Sequence, residues 1–332
     1  MKLKGLQMVR LKYLLIILFI GPFSVSLAGG GITHMYIAKQ AINHLPNQQL
    51  KTILLNNLDA YLVGAAYPDS GYIAGTHYGE DSHWDTFIYT FADYLKQQYK
   101  DPAVSNPKLL AFLFGCATHR VSDEIIHFIF YPIAATQDFK GNGEMAHEYG
   151  DAGIDFLLTV DQNQWTNFPT NWWLPIQDLL AVYQKMGKKH TADEIIWGNS
   201  VLYTAEWGER LIALPLYPYY QWKMPWTASH YSNWPIGGIE MNIQQVVEYE
   251  LILWYRLQGK PSAFKTITPQ KIDQHTHPSL LRDFAEDVLN TNTVSLQKVS
   301  QNDGSVTLQE PVIQETIKFK SILNQLIAKA AT

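Results

Sequence analysis

From Leu109 to Phe130 the chain is apolar nearly all round, yet the stretch carries His119, Asp123 and His127 at intervals of four. Its length and all-round apolarity predict a helix buried at the centre of a bundle. Four residues advance a helix by about 400°, so the three polar side chains lie along one slowly drifting stripe. Polar groups on a buried helix need partners, because unpaired burial is expensive. The fold must therefore bring something to this stripe. A second pair with the same spacing follows, His147 and Asp151. It stacks an imidazole above a carboxylate on one helix face. Taken singly, each residue has an ordinary reading. A buried His commonly bonds a carbonyl, Asp123 could pair with Arg120, and Asp151 could cap or pair locally. Two adjoining His-x3-Asp units with a third His on the same stripe favour a metal site instead. Zinc takes imidazole nitrogen and carboxylate oxygen, and i,i+4 pairs supply two ligands from one rigid element. Magnesium and calcium prefer all-oxygen shells. More than one ion is expected.

The histidines concentrate upstream of that second pair. Seven of the eleven fall between His34 and His147. Pro68-Asp69 stands at a helix end, His83 at a helix start, and His34 five residues after Gly29.

Apolar residues at three- and four-residue spacing predict helices over His34–Leu45, Gln48–Ala66 and His83–Tyr99. Others are expected at Glu148–Leu158, Pro175–Met186, Ala192–Leu214, Ile239–Leu257 and Ser279–Leu289. Leu214–Pro235 is rich in Pro and aromatics and reads as a long irregular loop. Val294–Val299 and Ser305–Gln309 flank Asn302-Asp303-Gly304, a hairpin signal. Pro311–Ala331 reads as a closing amphipathic helix. The expected class is all-α, a helical bundle with a small C-terminal β-hairpin. A helical domain runs over 29–260, followed by a C-terminal extension over 261–332.

Residues 1–28 look like a secretory signal peptide. A basic start with Lys2, Lys4, Arg10 and Lys12 precedes an apolar run of about a dozen residues, then Ser26-Leu27-Ala28. That run is short of the roughly 20 residues of a membrane span. The expected location is secreted or periplasmic, with no transmembrane segment after cleavage. Cleavage removes four of the 25 basic residues and none of the 30 acidic ones, taking the formal charge from −5 to −9. A basic nucleic-acid footprint is absent. The single cysteine, Cys116, excludes an intramolecular disulfide and a thiolate zinc finger.

With these residues in place the chain resembles the zinc-dependent phospholipase C family. That family's three-zinc helical fold is shared with the fungal single-strand zinc nucleases. The resemblance is strongest to the catalytic domain of glycosylphosphatidylinositol-specific phospholipase D. It rests on Gly31-Ile32-Thr33-His34, Ala65-Ala66-Tyr67-Pro68-Asp69, His83-Trp84, Phe112-Leu113-Phe114-Gly115 with Thr118-His119, Ala146-His147 to Asp151, and Trp172-Trp173-Leu174-Pro175 through Leu180. It implies three zinc ions. One takes Asp69, His83, His119 and Asp123. A second takes His127, His147 and Asp151. A third takes His34, Asp123 and the α-amino group and carbonyl of Gly29. Asp151 fits the nuclease and phospholipase D branches better than the phospholipase C branch, which often has Glu there.

The resemblance also implies hydrolysis of a glycerophospholipid, of phospholipase C type on a phosphatidylcholine-like substrate at a membrane or micelle surface. Zinc suits phosphodiester chemistry by neutralising non-bridging oxygens and activating water near neutral pH. Asp69 is the candidate to orient or deprotonate that water. Ser82, Ser122 and Glu124 flank ligand positions and are candidates to support them. Phospholipase D-type cleavage of a glycosylphosphatidylinositol is the alternative, as is a single-strand nuclease, which the acidic charge disfavours. A zinc-stabilised binding protein would not need three open ions. The aromatic stretch Leu214–Trp234 would either face substrate or cover the core.

Overall fold

The computed structural model describes residues 30–73, 75–260 and 297–309. The leader, Gly29, the helix expected at 279–289 and the closing helix expected at 311–331 lie outside the described residues. The described chain is an all-α bundle with one small sheet. Its helices are α1 Gly31–His44, α2 Gln48–Asn56, α3 Leu58–Ala66, α4 Asp69–Ile73, α5 Tyr78–Ser82, α6 Asp85–Gln98 and α7 Pro102–Ser105. They continue with α8 Pro107–Ile125, α9 Tyr131–Asp138, α10 Gly143–Asp161, α11 Ile176–Lys185, α12 Ala192–Lys223, α13 Pro225–His230 and α14 Ile239–Leu257.

Local chemistry sets several helix starts. Asn47, Asn106 and Asn142 each accept a backbone N–H three residues on, capping α2, α8 and α10. Pro107 follows its cap at the first helical position, where its missing N–H costs nothing. Thr191 and Glu194 form a reciprocal capping box at the start of α12.

α8 is the axis of the bundle. Every residue from Leu109 to Ile125 is buried. It packs against α1, α3, α6 and α14, and its contact with α3 is the most extensive between any two helices. α10 and α12 form a second long pair, with α9 and α13 against them. The C-terminal end of α8 widens into a π-helical turn over Ile126–Phe130. Such turns recur at functional sites because they re-aim side chains, and His127 lies inside this one. No helix among the described residues is long and apolar enough to cross a membrane.

Two expectations need correction. The helix over Gln48–Ala66 is two helices, broken at Asn57 (φ −126°, ψ 38°). Leu214–Pro235 is not a long irregular loop: α12 continues through Pro215 and Pro218 to Lys223, and α13 follows. Each internal proline costs about 3 kcal/mol. Packing outweighs that cost, since Tyr220 and Met224 are fully buried against Phe156 and the Gly153 backbone of α10. The expected C-terminal hairpin is present and packs onto the helical domain. β2 (Gln297–Ser300) and β3 (Val306–Gln309) are joined by β1 (Trp172–Leu174) in an antiparallel sheet of order β1-β3-β2. Trp172 faces Leu308 and Leu174 faces Val306. The expected turn is present, with Gly304 in the left-handed region and Asp303 accepting from Ser305.

Candidate metal centre

Five helices bring eight side chains together. α1 carries His34, α4 starts at Asp69, and His83 follows α5. His119 and Asp123 lie on α8, His127 on its π-helical turn, and His147 and Asp151 on α10. They form three overlapping groups whose donor atoms lie within 4.8 Å of one another: Asp69, His83 and His119; His34, His119 and Asp123; His127, His147 and Asp151. Asp69 Oδ1 is 3.4 Å from His83 Nε2 and 3.6 Å from His119 Nε2. The two imidazole nitrogens are 3.0 Å apart. His34 Nε2 is 3.8 Å from Asp123 Oδ1 and 3.9 Å from Asp69 Oδ2. Asp123 Oδ1 is 3.0 Å from His127 Nε2. Asp151 Oδ1 is 3.8 Å from His127 Nε2, and its Oδ2 is 3.9 Å from His147 Nδ1. All eight expected side chains therefore meet, while Gly29 lies outside the described residues.

The rings are aimed from behind. His83 Nδ1 lies 2.6 Å from the Gly79 carbonyl, and His119 Nδ1 lies 2.8 Å from that of Ala65. Each carbonyl holds a proton on Nδ1 and leaves the Nε2 lone pair facing inward. His34 Nδ1 is 2.7 Å from Ser122 Oγ, so Ser122 does support an expected ligand position. Ser82 bonds the carbonyls of Tyr78 and Gly79 instead. Glu124 pairs with Arg120. Arg120 is held by Asp85 and Glu124 and leaves Asp123 to the histidines, which removes the Arg120 reading of Asp123. Sequence reasoning missed Tyr131, whose hydroxyl donates to Asp151 Oδ1 at 2.6 Å. It also missed Gly150, where a Cβ would strike the Tyr131 ring. Tyr131 continues the four-residue spacing of His119, Asp123 and His127, whereas Gly150 carries no spacing signal.

Burial and mutual proximity set the electrostatics. Burial lowers His34 to about 4, against the pull of Asp123. Burial also takes His119 well below its ordinary value, and the neighbouring His34 and His83 add to this. His127 goes the other way: against burial, the Asp123 and Asp151 carboxylates lift it to about 9. Burial raises Asp69 to about 7. Asp123 is held well below the carboxylate range by His127, in spite of its burial. The arrangement packs three carboxylates among five imidazoles, of which burial pushes His34 and His119 toward the neutral form, and such a set attracts cations.

The donor set fits zinc, which takes imidazole nitrogen and carboxylate oxygen. Donor separations near 3.4–3.9 Å approach the ~3.4 Å edge of a tetrahedron with ~2.1 Å bonds. Most are too long for hydrogen bonds. Asp69 Oδ2 is buried with no hydrogen-bond partner. Such an orphaned carboxylate oxygen is costly unless a cation or a bound water satisfies it.

A family model described as zinc dependent phospholipase C matches residues 33–210, more than half of the chain and all eight side chains. The chain belongs to this family. Relatives include phosphatidylinositol-glycan-specific phospholipase D of Dictyostelium discoideum, 26% identical over 96% of this chain and 36% of that protein. The proteins of the same name from Homo sapiens and Rattus norvegicus are 30% and 31% identical over 63% and 68% of this chain. Only 27% and 29% of those two proteins is matched. The chain thus spans about a third of the length of these relatives. No solved structure matches it. The family is described as zinc dependent, in keeping with the imidazole and carboxylate donors gathered here.

Proposed function

We propose that the protein is a secreted zinc phosphodiesterase that hydrolyses inositol-glycan phospholipids. The observation that supports the chemistry most directly is the convergence of three carboxylates and five imidazoles on one largely buried centre with an orphaned Asp69 Oδ2. The names of the relatives support the substrate class. The leader-like residues 1–28 support secretion, and cleavage after Ala28 would make Gly29 the first residue of the mature chain.

In this reading Asp69, His83 and His119 hold one ion with Asp123 beside them. His127, His147 and Asp151 hold a second. His34, Asp123 and the terminus at Gly29 hold a third. Bound zinc would neutralise the phosphate oxygens and activate water at neutral pH. Asp69 Oδ2 orients the attacking water and accepts its proton. The Gly79 and Ala65 carbonyls hold protons on His83 and His119 Nδ1, keeping both Nε2 atoms as donors to metal. Substrate enters beside His147, the most exposed of the eight side chains at 34%. No basic footprint is available for a nucleic-acid strand.

Phospholipase C-type cleavage of phosphatidylcholine is the second reading, and one observation favours it. Trp226 stacks on Phe130 at 5.6 Å and on His230 at 4.7 Å, and Trp234 meets Trp226 edge-on. Phe130 follows His127 by three residues. Trp226 and Trp234 are partly exposed, and such rings suit a choline cation. Product analysis separates the readings. The mature, zinc-loaded protein is given a glycosylphosphatidylinositol and phosphatidylcholine in mixed micelles, with a chelator control. Chelator-sensitive phosphatidic acid from the first supports the primary reading. Diacylglycerol and phosphocholine from the second would replace it.

A further inference from the structure

The first turn of α1 has no cap of its own. Gly30 turns in the left-handed region at φ 66° and offers no side chain to the free N–H groups that follow. A helix end buried without partners for these groups is unstable. Here the partners come from helices far along the chain. Asp155 on α10 accepts from Ile32 N at 3.1 Å through Oδ2 and from Thr33 N at 2.8 Å through Oδ1, and it also takes the Thr33 hydroxyl. Glu206 on α12 lies against the Gly31 backbone. It lies so close that a Cβ on Gly31 would sit 2.0 Å from its Oε1. Arg210 holds Glu206 in turn, at 3.2 Å. Asp155, Glu206 and Glu209 are each at most 2% exposed.

These three acids could be taken for a further cation site, since their oxygens gather as the ligand groups do. The partners of Asp155 and Glu206 argue otherwise, while Glu209 Oε2 is buried without a hydrogen-bond partner. Both oxygens of Asp155 are occupied by α1, and Glu206 lies between Gly31 and Arg210. The occupant is the helix terminus itself, whose positive end a carboxylate favours.

We infer that Asp155 and Glu206 are positioning residues for the metal centre, clamping the first turn of α1 so that His34 is carried onto Asp69 and Asp123. The inference rests on the reading of His34 as a ligand. The clamped amides are one and two residues before His34, whose own N–H closes the first helical bond onto Gly30 O at 2.8 Å. Shifting or rotating that turn moves the His34 ring off Ser122 Oγ, 2.7 Å away, and off the His119 ring, 4.1 Å away. Gly30 and Thr33 also line a small cavity with His34, His127, Tyr131 and Asp151, so the clamped turn forms one wall of the centre.

The test uses Asp155→Asn, in which an amide donor replaces one acceptor, and Thr33→Val with Thr33→Ser, which remove and restore the hydroxyl. Amide hydrogen exchange and zinc per chain are measured alongside kcat and KM. Asp155→Asn should speed exchange at residues 31–34 at least tenfold, with little change elsewhere. It should lower bound zinc by about one ion per chain and reduce kcat at least tenfold with KM within twofold. Thr33→Val should do the same more weakly, and Thr33→Ser should recover the wild-type values. If Asp155→Asn fails to fold, the Thr33 pair decides. Variants that melt earlier but keep wild-type zinc and kcat would overturn the inference while leaving the zinc phosphodiesterase reading intact. A wild type that binds no zinc would overturn that reading, and unchanged exchange at 31–34 would overturn the clamp independently of zinc.

Discussion

Gly115 on α8 lies against Gly64 on α3 so closely that a Cβ on Gly115 would sit 2.8 Å from the Gly64 Cα and 2.0 Å from the Tyr61 carbonyl oxygen. The absence of side chains lets the two backbones touch. That contact brings Ala65 O within 2.8 Å of His119 Nδ1. A packing detail at the centre of the bundle thereby aims a candidate ligand. Gly115→Ala should cost about 1–3 kcal/mol by overpacking and weaken zinc binding at the Asp69, His83 and His119 group. Denaturant unfolding with zinc titration measures both. A variant as stable as wild type would show that the helices can separate at no cost.

The sequence carried much of this arrangement and omitted some of it for identifiable reasons. The four-residue spacing of His119, Asp123 and His127 survives as a stripe because α8 stays helical almost to its end, and the π-helical turn alters only its last member. No local signal marks the crossing of Gly64 with Gly115, because a close crossing depends on two distant segments meeting. The prolines at 215 and 218 suggested a loop, since local rules cannot include the burial of Tyr220 and Met224 against α10. Trp172-Trp173-Leu174 gave no strand signal in so short a run, and its pairing with Val306–Leu308 spans more than 130 residues. Asp155 and Glu206 were invisible for the same reason: what they meet lies on another helix.

Tyr131 supports Asp151 from outside the ligand set, its hydroxyl donating to Oδ1 at 2.6 Å. Partners of this kind typically contribute 10–100-fold in metal affinity. Tyr131→Phe should therefore weaken zinc at the His127, His147 and Asp151 group by about that factor. The other groups should hold zinc as before, because Tyr131 does not touch them. Competition with a graded chelator measures the loss. Uniform weakening of every ion would point to a general loss of packing instead.

Glu250 offers a pH test away from the ligands. It is fully buried, and its Oε1 accepts from Tyr61 at 2.7 Å and Thr118 at 3.2 Å while Oε2 has no partner. Burial pushes its carboxyl up to about 8 from an ordinary 4.5. The folded state thus holds a proton that the unfolded chain releases above pH 4.5. Its stabilising contribution is complete below that pH and is lost as the pH rises to about 8. Glu250→Gln keeps the neutral shape and cannot ionise. Its melting temperature should fall less than that of wild type between pH 5 and 8, the difference reflecting a few kcal/mol on the order of the shift. Parallel profiles would mean that Glu250 is already ionised at pH 5.

Asp69 carries the sharpest prediction about chemistry. Its Oδ1 faces His83 and His119, and its Oδ2 is buried without a hydrogen-bond partner. The two oxygens can therefore divide the work, one binding metal and the other meeting water. Asp69→Asn preserves the volume and one carbonyl oxygen but cannot accept the proton. It should reduce kcat by about 10²–10⁴ while most of the zinc stays bound. Metal analysis beside steady-state kinetics separates the two effects. Loss of zinc in parallel with activity would make Asp69 a ligand only, and unchanged kcat would move the proton-accepting role to another group.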